Sequence, residues 1–135
     1  MNLKNYIFGN NLKYKFMSTF RNLLIWQKAM ALVTKIYKTT QQFPKEEIFG
    51  LTSQIRRCSV SMPSNIAEGY GRNSDGDFLR FLNIATASLF ELQTQIEIAY
   101  NIDYLAQDTF NALYADTREL EIMLVSFSNK IKERR

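Results

Sequence analysis

Histidine is absent from the 135 residues, and cysteine occurs once, as Cys58. Without histidine, the Ser–His and Cys–His nucleophile pairs cannot be built, and imidazole cannot ligate a metal. A single cysteine excludes an intrachain disulfide and makes a reduced, cytoplasmic setting the default expectation. Proline occurs only twice and glycine five times. That is little turn material, which argues against an all-β fold. No apolar run approaches the roughly 18 residues that a membrane-spanning helix needs. No continuous hydrophobic region follows the N-terminal lysines, so a secretory signal is not expected.

The chain is rich in core-forming material, with 46% hydrophobic and 13% aromatic residues. At this length the natural expectation is one domain. The net charge of +4 suggests a nucleic-acid partner until it is divided along the chain. Lys4, Lys13 and Lys15 lie in a leader with no acid, and Lys130, Lys132, Arg134 and Arg135 crowd the last six residues. Residues 17 to 129 hold 10 basic and 12 acidic side chains, so the body is close to neutral.

Residues 1 to 16 show no helical period, and the character of the chain changes at Met17. They are read as a disordered extension or a misplaced start, with a functional basic arm as the alternative. Residues 17 to 135 are then a single domain. A first helix is predicted from Leu23 to about Gln42, on the stripe Leu23, Trp26, Met30, Val33 and Tyr37. A neighbouring stripe of Ile25, Ala29, Leu32 and Ile36 widens its apolar face. Phe43-Pro44 ends it.

A second helix is expected to start near Glu46 and Glu47, whose charges suit a helix N-terminus. Leu51, Ile55, Cys58, Met62 and Ile66 carry its seam through Pro63 without a change of phase, which reads as a kinked, continuous helix. The run from Gly69 to Gly76 breaks it, and Ser74 or Asp75 caps the next helix. There Phe78, Leu82, Ala85, Leu89, Leu92, Ile96 and Ala99 alternate steps of four and three. Ile84, Ala87, Ile98 and Ile102 lie outside that seam. After a short link, Ala106, Phe110, Leu113, Thr117, Leu120, Leu124, Phe127 and Ile131 repeat the spacing. Four helices on short links imply an all-α, up-down-up-down four-helix bundle.

Two groups of side chains are candidate sites. Gln54, Arg57, Asn65, Glu68 and Arg72 on the second helix, with Ser88 and Glu91 on the third, form a polar set beside apolar seams. Glu91 is expected to be partly buried, with Arg57 as its partner from the facing helix. The set reads either as an ion-pair network fixing register and oligomer geometry, or as a polar ligand pocket. The second group is basic. Lys28, Lys35 and Lys38 share one face of the first helix and suit a phosphate backbone. Acids on the fourth helix are the competing partners for these lysines. The tail bearing Lys130, Lys132, Arg134 and Arg135 is expected to be uncompensated and is the better phosphate candidate, although such charges also suit a helix C-terminus. Carboxylates are scattered, no Glu-x-x-His unit exists, and Gly69-x-Gly71 lacks the context of a phosphate loop. The expectation is a non-enzymatic protein with no cofactor, no metal and no small-molecule substrate.

Several runs are similar to a known family. They are Trp26-Gln-Lys-Ala-Met30, Phe49-Gly-Leu-Thr-Ser-Gln-Ile-Arg-Arg57, Ser61-Met-Pro-Ser-Asn-Ile-Ala-Glu-Gly-Tyr-Gly-Arg72 and Ser88-Leu-Phe-Glu-Leu92. They resemble the four-helix-bundle proteins of the 23S rRNA intervening-sequence family, from about Phe20 to the C-terminus. Members of that family were first noticed within insertions in bacterial ribosomal RNA genes. The resemblance implies a left-handed bundle, assembly as a homopentamer and no enzymatic activity. The family in turn resembles basic, pentameric accessory proteins of diversity-generating retroelements, which by analogy implies RNA or a ribonucleoprotein as partner. The near-neutral body departs from that pattern. The alternative is a protein-binding module that takes a partner into a helical groove.

Overall fold

A computed structural model describes residues 19–134. The extension expected over residues 1 to 16, and Arg135, lie outside the described residues. Thr19 starts the described chain with a reciprocal cap on a 3-10 turn, Phe20–Asn22. Its Oγ1 accepts from the Arg21 amide at 3.1 Å, and Asn22 Oδ1 accepts from the Thr19 amide at 3.1 Å. This fastens the entry into α1, Leu24–Thr40. Ile25, Ala29, Leu32 and Ile36 are its buried stripe. Met30 and Tyr37, from the stripe named first in the sequence, are instead exposed. Two adjacent apolar stripes make a wide face, and only the one turned toward both neighbouring helices fills the core.

The second helix starts later than its sequence suggests. Lys45–Glu47 forms a separate 3-10 turn, and α2 is Leu51–Tyr70. Glu47 still serves the helix N-terminus, but from outside it. Its Oε2 accepts from the Leu51 amide at 2.8 Å, satisfying one orphan donor of the first turn. A Cβ at Gly50 would stand 2.8 Å from that carboxylate oxygen, so a larger residue there would make the Glu47 side chain shift. The helix continues through Pro63.

The Ser74 hydroxyl caps α3, Asp75–Asn101, accepting from the Asp77 amide at 3.1 Å. All seven predicted seam residues of α3 are buried. The link to α4, Gln107–Glu133, turns at Asp103, whose φ of 66° lies in the left-handed region that aspartate tolerates. Tyr104 N donates to Ala99 O at 2.8 Å, closing the C-terminus of α3.

Each helix packs on its sequence neighbours, and α1 also meets α4, closing a ring of four. Cross-helix contacts run antiparallel. Ser61 meets Ser88 and Gln54 meets Gln95 between α2 and α3. Phe78 meets Phe127, and Tyr100 stacks on Phe110, between α3 and α4. One core runs the length of the bundle, with Ile55, Met62, Ile66, Leu82, Leu92 and Leu124 almost fully enclosed. Each such side chain contributes roughly 1.5–3 kcal/mol by leaving water. Among the described residues there is no strand, and no helix is long and apolar enough to cross a membrane.

Candidate functional site

The α1 lysines face α4, and two of them are engaged there. Lys28 Nζ lies 3.0 Å from Glu119, and Lys35 Nζ donates to Asp116 Oδ2 at 2.7 Å. Lys38 is exposed and meets no carboxylate among the described residues. At the other end of α4, Arg134 grips Asp75 with two hydrogen bonds of 2.9 and 2.6 Å. Lys130 lies 3.8 Å from Glu133, while Lys132 is exposed without a carboxylate partner. The basic group is therefore divided: some of its charges are answered within the bundle, and Lys38 and Lys132 are not.

The polar set between α2 and α3 is partly assembled, with two residues that the sequence reading missed. Ser61 and Ser88 hydroxyls lie 2.8 Å apart, and Asn65 Nδ2 donates to Ser61 O and Oγ at 2.8 and 3.0 Å. Gln95 is buried, and its Nε2 donates to Gln54 Oε1 at 3.3 Å and to Glu91 Oε1 at 3.1 Å. Cys58 Sγ approaches Gln95 Oε1 at 3.5 Å. Gln95 and Ser61 thus join Gln54, Asn65, Ser88 and Glu91. Gln95 stands four residues after Glu91, a helical neighbour, but a neutral amide gave no charge pattern to flag it.

The ion pairs expected in this set do not form. Glu91 is exposed, not partly buried, and Arg57 does not reach it. The carboxylate sits at the flank of the seam, where the Gln95 amide and solvent satisfy it. Glu68 and Arg72 are exposed and unpaired with each other. The reason is local: α2 stops at Tyr70, so Arg72 leaves the helical spacing that would bring it over Glu68. Its guanidinium lies over the Phe81 ring instead, 4.6 Å from the centroid.

Nothing in the set is an activated nucleophile. Burial, with Glu91 as a second cause, pushes the Cys58 thiol up to about 12. The residue behaves as a small core side chain. On α4, the Gln93 amide and then the Arg118 guanidinium hold Glu121 below the usual carboxylate range. That carboxylate is engaged by both groups. Among the described residues, no group of three or more cysteine and carboxylate side chains could hold a metal ion.

Between the N-terminal part of α1 and α4 runs an apolar groove of about 400 Å³, lined by Leu23, Leu24, Ile25, Ile122, Met123 and Phe127. Leu24 and Ile122 on its rim are more than half exposed.

The family profile described as 23S rRNA-intervening sequence protein matches residues 21–126. The chain belongs to the 23S rRNA-intervening sequence protein family. Lys28, Lys35, Lys38 and the whole α2–α3 polar set fall inside the matched span; the basic residues from Lys130 onward lie beyond it. A similar solved structure is that of a protein of unknown function from the S23 ribosomal protein family of Bacteroides thetaiotaomicron. It is 24% identical, covers 78% of this chain and 98% of its own, and superposes with a TM-score of 0.71. That likeness concerns the fold of this intervening-sequence family member. Curated proteins give no significant match.

Proposed function

We propose that this family member is a non-enzymatic, homo-oligomeric helical scaffold that contacts RNA or a ribonucleoprotein through basic residues, in a cytoplasmic setting. The observation that carries the reading is apolar surface left outside a core that is already filled. Ile84, Phe90 and Ile98 on α3, and Ile122 and Val125 on α4, remain between 39% and 61% exposed. Exposed apolar groups of this number on a bundle of this size suit burial against other subunits. The family resemblance supports a cyclic pentamer as the form of that assembly. The exposed Arg57, Glu68 and Arg72, which lack carboxylate or arginine partners among the described residues, would be paired between subunits. The RNA part of the reading rests on the family's description and on the uncompensated Lys38 and Lys132.

Light scattering on the purified protein tests the assembly. The expected mass is a multiple of the monomer, and Arg57→Ala and Glu68→Ala should shift it to smaller species with helix content retained. A parent that stays monomeric at high micromolar concentration overturns the scaffold. The α1–α4 groove favours a second reading, a protein partner laid into it without nucleic acid. Salt separates the two, since RNA retention weakens steeply with ionic strength and groove binding changes little.

A further inference from the structure

Antiparallel packing gathers one end of every helix at the same place. At one such end stand the 3-10 turn Phe20–Asn22, the C-terminus of α2, the N-terminus of α3 and the C-terminus of α4. They are bound to one another there. The 3-10 turn packs on α2, Tyr70 meets Phe78, Phe78 meets Phe127, and Arg134 holds Asp75. Two further rings at this end, Phe20 and Phe81, carry arginines.

Arg21 rests over Phe20 at 4.8 Å, and Arg72 and Arg80 each lie 4.6 Å from the centroid of Phe81. An aromatic face holds a guanidinium without cancelling its charge, and leaves N–H donors at the edge of the group. A carboxylate does the opposite, as Lys28 and Lys35 illustrate on the side of the bundle. The acids at this end are Glu68, Asp75, Asp77 and Glu133. Asp75 is gripped by Arg134, while Asp77 lies 3.7 Å from Arg80 and Glu133 lies 3.8 Å from Lys130. Arg21, Arg72 and Lys132 face no carboxylate partner among the described residues. The opposite end presents Glu46, Glu47, Asp103 and Asp108 together with Lys38, Lys45 and Arg56, the last bonded to Thr40 at the end of α1.

From this we infer that the end of the bundle bearing Arg21, Arg72 and Lys132 is a docking platform for an RNA sugar-phosphate backbone. The inference rests on the RNA reading above and moves the contact from the α1 face to the bundle end. Guanidinium groups pre-set on aromatic rings lose little freedom when a phosphate arrives, which favours arginine over the paired lysines of α1.

Fluorescence anisotropy with a short, labelled single-stranded RNA, titrated across a salt series, is the test. Arg21→Gln/Arg72→Gln/Lys132→Gln should weaken binding about tenfold at low salt and lower the salt slope by about 2. Lys28→Gln/Lys35→Gln should stay within about twofold of the parent, because those charges are already met. Circular dichroism melting checks that each variant is folded. Arg72→Gln alone, outside any helix, should give about a threefold loss should the triple variant unfold. If the parent binds RNA but the end variants bind as tightly, the platform is overturned and the RNA reading stands. If the parent binds no RNA even at low salt, both fall.

Discussion

Thr52 is the described buried side chain whose hydroxyl finds no hydrogen-bond partner. It lies in the first turn of α2, and an orphan hydroxyl costs about 1–3 kcal/mol. Thr52→Val keeps the shape and removes the orphan, so it should stabilise the protein by about 1 kcal/mol and raise Tm by a few degrees. An unchanged or lower Tm in calorimetry would mean that the hydroxyl has a partner. Cys58 gives a second prediction. Its folded thiol titrates near 12 against an ordinary value of 9.0, so the folded state favours the protonated form. That contribution to stability is fully present below pH 9 and is lost as pH rises toward 12. The alkaline fall in stability should therefore be shallower in Cys58→Ala, although the truncation lowers stability at neutral pH. A thiol reagent at pH 8 should modify the parent only as fast as the bundle opens.

Between helices, the closest approach is that of α2 to α3, and Gly69 makes it possible. A Cβ at position 69 would stand 2.7 Å from Phe81 Cβ and 2.9 Å from Phe78 Cδ2. Alanine would gain about 1 kcal/mol in helix propensity but would force overpacking that costs about 1–3 kcal/mol. Phe81 Cβ moves only with its backbone, so the clash should win. Gly69→Ala is expected to lower stability by up to roughly 2 kcal/mol in denaturant titration, with a gain refuting the argument. The same pair of helices marks where a one-dimensional reading succeeds and fails. The α3 seam was legible because its steps of four and three never break, and each of its residues is buried. The α1 face was not, since two adjacent apolar stripes have the same period and only packing selects between them. Helical spacing also names neighbours along one helix, not across two. That is why Gln95 went unnoticed as the link from Gln54 to Glu91, and why Arg57 was assigned a partner it does not reach.

At the scale of the whole molecule, charge and packing are unevenly shared among the four seams. The α1–α4 seam is held partly by Lys28–Glu119 and Lys35–Asp116, whose side chains are between 33% and 58% exposed. Pairs of that kind contribute well under about 1 kcal/mol each and are screened by salt. Raising ionic strength should therefore move Tm by no more than a few degrees, while it erodes any RNA binding by orders of magnitude. Mass and affinity measured on one salt series would show whether assembly and RNA contact are separable. The contrast between the two sides of the ring has a dynamic counterpart. Along α2–α3 the backbones meet closely and polar groups bond across the seam, whereas the α1–α4 seam opens at the N-terminal part of α1 into a groove of about 400 Å³. Amide hydrogen exchange should accordingly be slowest in the middle of α2 and α3 and faster in the first turns of α1. The molecule would breathe by parting α1 from α4 while the α2–α3 pair persists.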